Sequence, residues 1–402
     1  MLKKTMVAIL NNHLTRSLIC SVAFFTPISL FAQSIDAVAD EFEIYMSKTL
    51  TDWKIPGAAV VIVKDDRIVL MRGFGVRQVG KPEKVDTQTV FRLASLSKGF
   101  ASTLTGLLVA GGDLSWNDQV VDYLPDFKLQ NAQQTQQTTI THVLSHTIGL
   151  PEHTHTNLIE NNTPYPDIVD RLDKVNLSCK VGKCHAYQNV AYSLSGDIIE
   201  KVSGKSYSEM MHERIFVPLG MYNASTSYEA LMASPNRASC HVRGKNGYSA
   251  CTITSYYYNV VPAGGINASI SDMGQWLKAQ MGGYPDDVPP VVLDAIHTPL
   301  INNTAEIKYG YDRSGWRKER IKNSYYGLGW RIYDYQGHEM VFHGGMLKGF
   351  QNAMGFIPEE KVGIVVLTNS NSAVAGFLTA KFFDLYLDLP DRDWNSRALG
   401  KG

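Results

Sequence analysis

A chain of 402 residues in which 38 basic and 38 acidic side chains cancel has no overall field for a polyanion, so net charge gives no reason to place nucleic acid or anionic lipid among its partners. With 44% hydrophobic and 19% charged residues, the composition is that of an ordinary globular protein, which excludes a largely disordered chain and a multi-span membrane protein. The length allows one large domain or two.

Lys3, Lys4 and Arg16 precede a charge-free apolar stretch, residues 17–32, interrupted by Pro27. The stretch is shorter than the roughly 20 residues of a spanning helix and reads as a secretory signal peptide over residues 1–32. Cleavage after Ala32 leaves Gln33 as the mature N-terminus; an uncleaved anchor is the alternative. Cys20 lacks the small residue before it that a lipoprotein signal carries. The expectation is a secreted or periplasmic protein with no stable membrane span after cleavage.

Of the five cysteines, the four outside that stretch are Cys179, Cys184, Cys240 and Cys251, an even number in an exported chain, which points to disulfides. Three pairings are possible. The local pairs Cys179–Cys184 and Cys240–Cys251 are favoured because each closes a short loop. Zinc is the rival, but four and ten intervening residues do not match the close spacing of zinc ligands.

In chain order, apolar residues at Ile35, Val38, Phe42, Tyr45, Met46, Leu50 and Trp53 trace one face of a helix. Residues 58–63 and 68–74 read as a strand pair around a tight turn at residues 64–67. Helical periods follow at residues 101–110, 194–202, 207–216 and 270–281. The C-terminal part returns to strands, at 327–335, 339–343, 350–357 and 362–367, separated by Gln336-Gly337, Gly344-Gly345 and Pro358-Glu359-Glu360, and a helix over 373–387 follows. Strands at both ends with a helical middle predict an α/β fold. It has one antiparallel sheet built from both chain ends (residues 33–99 and 320–390), flanking helices and a mostly helical insertion (100–319), with 391–402 as a C-terminal tail.

Three short motifs carry chemistry. Ser95 and Lys98 stand three residues apart at the start of a helical run, so one helix face holds a hydroxyl and an amine, and the helix N-terminus favours negative charge developing at Ser95. Tyr187-Gln188-Asn189 precedes the helix at 194–202. A phenol acts as a general base only where cations lower its pKa from roughly 10, and Lys98 is such a cation; Asn189 offers its amide to a substrate carbonyl. His343-Gly344-Gly345 follows a strand, its glycines admit a substrate backbone to a strand edge, and the amide of Met346 joins that of Ser95 as an oxyanion-binding pair. Each motif alone is compatible with a plain helix face, a loop–helix junction or a turn.

In this order and with these flanks, the three motifs resemble S-x-x-K, Y-x-N and the H-x-G variant of K-T-G in the serine β-lactamase and penicillin-binding protein family. Further stretches look like landmarks of that family: ITHVLSHTIGLP at 140–151, IIEKVSGKSY at 198–207, PLGM at 218–221 and PAGG at 262–265. The resemblance spans about residues 35–389. It implies the fold of the family's β-lactamases and transpeptidases, and a serine hydrolase in which Ser95 is acylated, Lys98 and Tyr187 shuttle its proton, and Asn189 binds the acyl side chain. No cofactor is implied. His343 would take the place of the K-T-G lysine, a departure that points away from efficient class C β-lactamases toward peptidases and esterases. D-amino-acid peptides of peptidoglycan type are then the first expected substrates, β-lactams the second and small esters the third. An imidazole at that position would titrate near roughly 6.5, giving carboxylate-bearing substrates a pH dependence that neutral esters lack.

Other readings are weaker. His146, His153 and His155 invite a metal, but the resemblance makes His146 a packing residue. No G-x-S-x-G elbow of an α/β-hydrolase occurs. A non-catalytic penicillin- or cell-wall-binding protein is disfavoured by the intact Ser95, Lys98 and Tyr187.

Overall fold

The most continuous β-branched and apolar runs of the chain form the middle of a sheet. Strands β1 (Gly57–Lys64) and β12 (Val362–Thr368) pair antiparallel from Ala58↔Thr368 to Lys64↔Val362, and every residue of β12 is buried. Alternation sends Ala58, Val60 and Ile62 to one face and Ala59, Val61 and Val63 to the other. Both faces are apolar because both are covered. The computed structural model describes residues 33–309 and 312–400; the expected signal peptide and its cleavage site lie outside the described residues.

The sheet has eight antiparallel strands in the order β2-β1-β12-β11-β10-β9-β8-β7. They are β2 (Arg67–Gly75), β7 (Ile301–Asn302), β8 (Ile321–Tyr326), β9 (Arg331–Tyr335), β10 (His338–Leu347) and β11 (Phe350–Ile357), with β1 and β12. Both chain ends contribute, as the sequence led us to expect. Helices α1 (Ile35–Trp53) and α6 (Val374–Tyr386) cover one face, where Phe42 meets Phe382 edge-on with ring centroids 5.8 Å apart. Helices α2 (Ser97–Ala110) and α4 (Ile270–Gln280) lie in the core on the other face, where Phe100 stacks on Trp276 at 3.7 Å. Between them in sequence, α3 (Leu194–Ser203) packs against α2.

Several details differ from the sequence reading. The insertion contains strands as well as helices: β3 (Val90–Arg92) pairs with β6 (Asn267–Ser269), and β4 (His241–Gly244) with β5 (Gly247–Ala250). Strand β8 was not anticipated, because its polar residues Lys322, Asn323 and Ser324 hide the period. Gly327–Trp330, read as strand, is a turn closed by the Gly327 N–H donating to Trp330 O at 2.8 Å. Gly344-Gly345, read as a break between strands, lies inside β10, and the chain turns only at Lys348-Gly349. Glycine pairs that look like turns are tolerated within a strand where another backbone comes close.

Both favoured disulfides are present, Cys179–Cys184 and Cys240–Cys251. Residues 391–400, expected as a tail, include helix α7 (Trp394–Ala398), whose Trp394 is fully buried. A buried polar cluster holds it. Asp384 on α6 accepts from Arg320 Nε and Nη2 at 2.8 and 3.0 Å, from the Tyr335 hydroxyl at 2.6 Å and from Trp394 Nε1 at 2.8 Å. Removing one partner of a buried pair strands the other charge. Asp384→Ala is therefore expected to destabilise the fold by about 3–5 kcal/mol, read by denaturant unfolding, whereas a loss below about 1 kcal/mol, the scale of an exposed pair, would mean that water already screens the cluster.

Candidate active site

Ser95, the expected nucleophile, sits on a short connection between strand and helix. β3 ends at Arg92, one 3₁₀ turn covers Ala94–Leu96, and α2 starts at Ser97. Ser95 is the only residue from Phe91 to Phe100 that is not buried. Ala94 is held at φ +54°, a left-handed conformation that costs a non-glycine residue roughly 1–2 kcal/mol. The turn is clamped from below: Ser97 Oγ donates to Ala94 O at 2.7 Å and accepts from Ile266 N at 3.0 Å. Strain kept by surrounding hydrogen bonds is the pattern found where chemistry dictates backbone geometry.

Lys98 lies directly beneath and is one of the largest fully buried side chains. Its Nζ donates to Asn189 Oδ1 at 2.8 Å and to Ala263 O at 2.9 Å, and it lies 4.5 Å from the Tyr187 ring centroid. Burial, reinforced by the charge of Arg331, drives its pKa well below the usual lysine range. A neutral amine has two N–H groups, both matched here, and keeps a lone pair to accept a proton. Tyr187 moves the other way. Burial raises its pKa above the ordinary phenol value, although Arg331 and a hydrogen bond with the Ser95 side chain oppose the shift. The sequence points to Lys98 as a cation that lowers the Tyr187 pKa; in the structure burial outweighs the charges and shifts Lys98 down and Tyr187 up. With its Oδ1 taken by Lys98, Asn189 has its Nδ2 left to donate to a substrate carbonyl.

The opposite wall is β10. Its pairing with β9 stops at Phe342↔Arg331, while its pairing with β11 continues to Leu347↔Phe350. From His343 onward the edge of β10 on the β9 side has no strand partner, which suits an extended substrate. Gly345 presses against the nucleophile turn: a Cβ there would stand 2.2 Å from Leu93 O and 3.3 Å from Ser95 N. Any side chain would push the strand away. Met346 follows, with its side chain 68% exposed at the groove.

His343, expected in the place of a lysine cation, sits between Tyr326 and Arg331. It is buried, with Nδ1 2.7 Å from Gly344 O, and Nε2 3.1 Å from the Tyr326 hydroxyl and 3.4 Å from Arg331 Nη1. A neutral imidazole satisfies all three contacts when Nδ1–H donates and Nε2 accepts. Burial, then Arg331 and Lys98, hold its pKa well below the usual histidine range. The permanent charge comes instead from Arg331, whose guanidinium lies 5.5 Å from the Tyr187 ring centroid and 5.6 Å from that of Tyr326. Glu306, on the short helix α5 (Ala305–Tyr309), anchors it at 3.1 Å from both Nε and Nη2 and also contacts His185 Nδ1 at 3.1 Å. Burial pushes the Glu306 carboxyl up, but Arg331 and His185 outweigh it and hold the group below the usual carboxylate range.

Sequence reasoning missed Arg331, Glu306 and Tyr326, since none lies in a motif. The one available signal was position: Arg331 opens the strand that pairs with the strand of His343. His146 is buried, accepts from Gln188 N at 3.1 Å and packs 4.4 Å from the Tyr187 ring, whereas His153 is exposed and His155 half-buried. The two disulfides lie behind opposite walls. A Cβ on Gly149 would stand 2.4 Å from Cys179 O, and Ala186 N donates to His146 O at 2.9 Å, which straps the loop that delivers Tyr187. A Cβ on Gly349 would stand 2.5 Å from Cys240 Cβ, so the second disulfide backs the turn between β10 and β11.

Comparison with known proteins agrees with this geometry. The family model described as Beta-lactamase matches residues 42–385. Protein flp of Staphylococcus aureus (strain NCTC 8325 / PS 47) is 26% identical over 322 residues, 79% of this chain and 60% of its own length. The chain thus spans about three-fifths of that relative. Unguisins hydrolase ungD' of Aspergillus campestris is 27% identical over 92% of this chain and 70% of its own length. Among solved structures, the octameric penicillin-binding protein homologue from Pyrococcus abyssi superposes with a TM-score of 0.75 at 26% identity, covering 87% of this chain and 78% of that one. A match over most of the chain, on a fold that brings Ser95, Lys98 and Tyr187 together, places this protein in the beta-lactamase family of serine hydrolases.

Proposed function

We propose that the protein is a secreted or periplasmic acyl-transferring hydrolase that forms an ester at Ser95, with D-amino-acid peptides of peptidoglycan type as its preferred substrates. The observation that carries this reading is the buried Lys98 amine, which donates to Asn189 Oδ1 and Ala263 O and lies 4.5 Å from the ring centroid of Tyr187, the residue hydrogen-bonded to the Ser95 side chain. Lys98 accepts the Ser95 proton as Oγ bonds the substrate carbonyl carbon. The amides of Ser95 and Met346 receive the carbonyl oxygen as it gains charge. As the tetrahedral intermediate collapses, the leaving amine takes a proton through Tyr187, and water repeats the sequence on the acyl-enzyme to release the acid and restore Ser95. Arg331 supports a substrate that ends in a carboxylate, because it brings a permanent positive charge to 5.5 Å from the Tyr187 ring centroid. Two disulfides support an oxidising compartment.

A small neutral ester is the second reading. It is favoured by the ion pair of Arg331 with Glu306, which already neutralises that charge, and by the apolar Met346 at the groove edge. Turnover of a D-Ala-D-Ala peptide, a β-lactam and a nitrophenyl ester, measured side by side, decides between them.

Ser95→Ala is expected to abolish the covalent adduct with a fluorophosphonate or penicillin in intact-mass spectra; an adduct that persists would move the nucleophile elsewhere. Lys98→Ala should slow acylation at least about a hundredfold, the usual contribution of a placed acid–base group, and near-normal acylation would remove Lys98 from proton transfer. Arg331→Met should cost carboxylate-bearing substrates at least about tenfold more in kcat/KM than a neutral ester, the scale of one hydrogen bond to a charged group. Equal losses would make Arg331 a support for Tyr187 alone. Because His343 is held neutral, acylation by the two substrate types should follow superimposable pH profiles between about 6 and 7.5. A limb in that range confined to the carboxylate substrate would mean that His343 titrates after all.

A further inference from the structure

The two amides that receive the carbonyl oxygen belong to different parts of the chain. Ser95 comes from the turn between β3 and α2, Met346 from β10, so their separation is a tertiary property and is not set by local sequence. One buried side chain joins the two elements. Asn352 on β11 is 2% exposed and sits in register opposite Gly345. Its Nδ2 donates to Arg92 O at 2.8 Å and to Leu93 O at 3.3 Å, three and two residues before Ser95. Its Oδ1 accepts from Thr368 N at 3.1 Å, which ties the same amide to the central strand β12. Leu93 O is the atom that Gly345 approaches most closely. Glycine permits the strand to come near, and Asn352 holds the turn there.

We propose that Asn352 is a positioning residue that fixes the distance between the Ser95 and Met346 amides and thereby tunes stabilisation of the tetrahedral intermediate. The inference rests on the acyl-enzyme reading above. All three polar contacts of the amide go to backbone atoms, so its influence on chemistry passes through placement. A carboxylate at this position offers no donor to Arg92 O or Leu93 O and leaves two carbonyls without their partner. An alanine removes the same donor from both carbonyls and leaves Thr368 N without the Asn352 acceptor.

The test compares wild type with Asn352→Asp and Asn352→Ser, and with Gly345→Ala as an independent way of moving β10 from the turn. Active sites are counted by stoichiometric fluorophosphonate labelling, so that poorly folded material is excluded. Each enzyme is then assayed with an ester and with its thionoester, in which sulfur replaces the carbonyl oxygen and accepts hydrogen bonds weakly, and its affinity for a boronic acid is measured. The expected result, per labelled site, is a fall of about tenfold to a hundredfold in kcat for the oxygen ester, a fraction of the cost of losing a whole oxyanion donor. KM should change little, the thionoester rate should change less than threefold, and boronate affinity should fall in parallel with kcat. The proposal is overturned by an unchanged kcat in the Asn352 variants, by equal losses on ester and thionoester, or by loss of labelled sites with normal rate per site. If neither Asn352 variant yields labelled enzyme, Gly345→Ala carries the same comparison, and equal losses there overturn it too. Absence of a Ser95 adduct in the wild type, or equal wild-type rates on ester and thionoester, would instead refute the underlying acyl-enzyme or oxyanion reading and is distinguishable from any result that depends on Asn352.

Discussion

A lysine amine enclosed without a carboxylate partner is the constraint around which the site is arranged. Burying a charged ammonium group is costly, and a group in that position lowers the cost by giving up its proton. Two acceptors then remain for Lys98, an amide oxygen from Asn189 and the backbone carbonyl of Ala263, while the rings of Tyr187 and Tyr192 close around it. Tyr192 is itself fixed through Lys98 O, at 2.8 Å, and Gly329, at φ +79°, leaves room for that contact, since a Cβ there would stand 2.6 Å from the Tyr192 hydroxyl. The setting of Lys98 is therefore made by the packing of four separate segments, and the downward shift of its pKa is a consequence of the fold.

The two walls of the groove are built on different principles. The β10 side belongs to an eight-stranded sheet covered on both faces, where register leaves little freedom and a free strand edge results from β9 being shorter than β10. The Tyr187 side is loop, and loops hold position only when something ties them. Here the ties are backbone hydrogen bonds, a neutral histidine packed against the catalytic ring and a disulfide that shortens the loop. On the proposed reading, the sheet presents the amide donors and the strapped loop presents Tyr187, so the two walls divide acyl transfer between them.

What could be read from sequence follows from where the information lies. Strands β1, β2, β11 and β12 were legible because β-branched runs with clear turns announce themselves. So were Ser95, Lys98, Tyr187 and Asn189, which occur in short patterns. The site geometry was legible only where a role depends on a residue's type. The surroundings of His343 were not legible, because Arg331 and Tyr326 are brought beside it by strand pairing and no local pattern records its burial. Gly344-Gly345 was taken as a break because the reason for glycine there, the approach of Leu93 O, is tertiary. Asn352 looked like any polar residue on a strand. In each case the missing information is a distance between segments remote in sequence.

The placement of charge explains why a histidine suffices where a lysine is expected. A cation next to Lys98 must not itself lose charge, or the pKa values of Lys98 and Tyr187 would drift with pH. A buried imidazole cannot serve as that cation. A guanidinium can, because it stays charged at all accessible pH values, and Arg331 reaches Tyr187 from the neighbouring strand. Its own burial is compensated by Glu306, which is held in turn by His185. His343 then fills the space between Arg331 and β10 as a neutral bridge, accepting at Nε2 and donating at Nδ1 to the strand. The fixed cation thus stands on β9, beside the strand that carries His343, and the edge of β10 is left to hydrogen bonding.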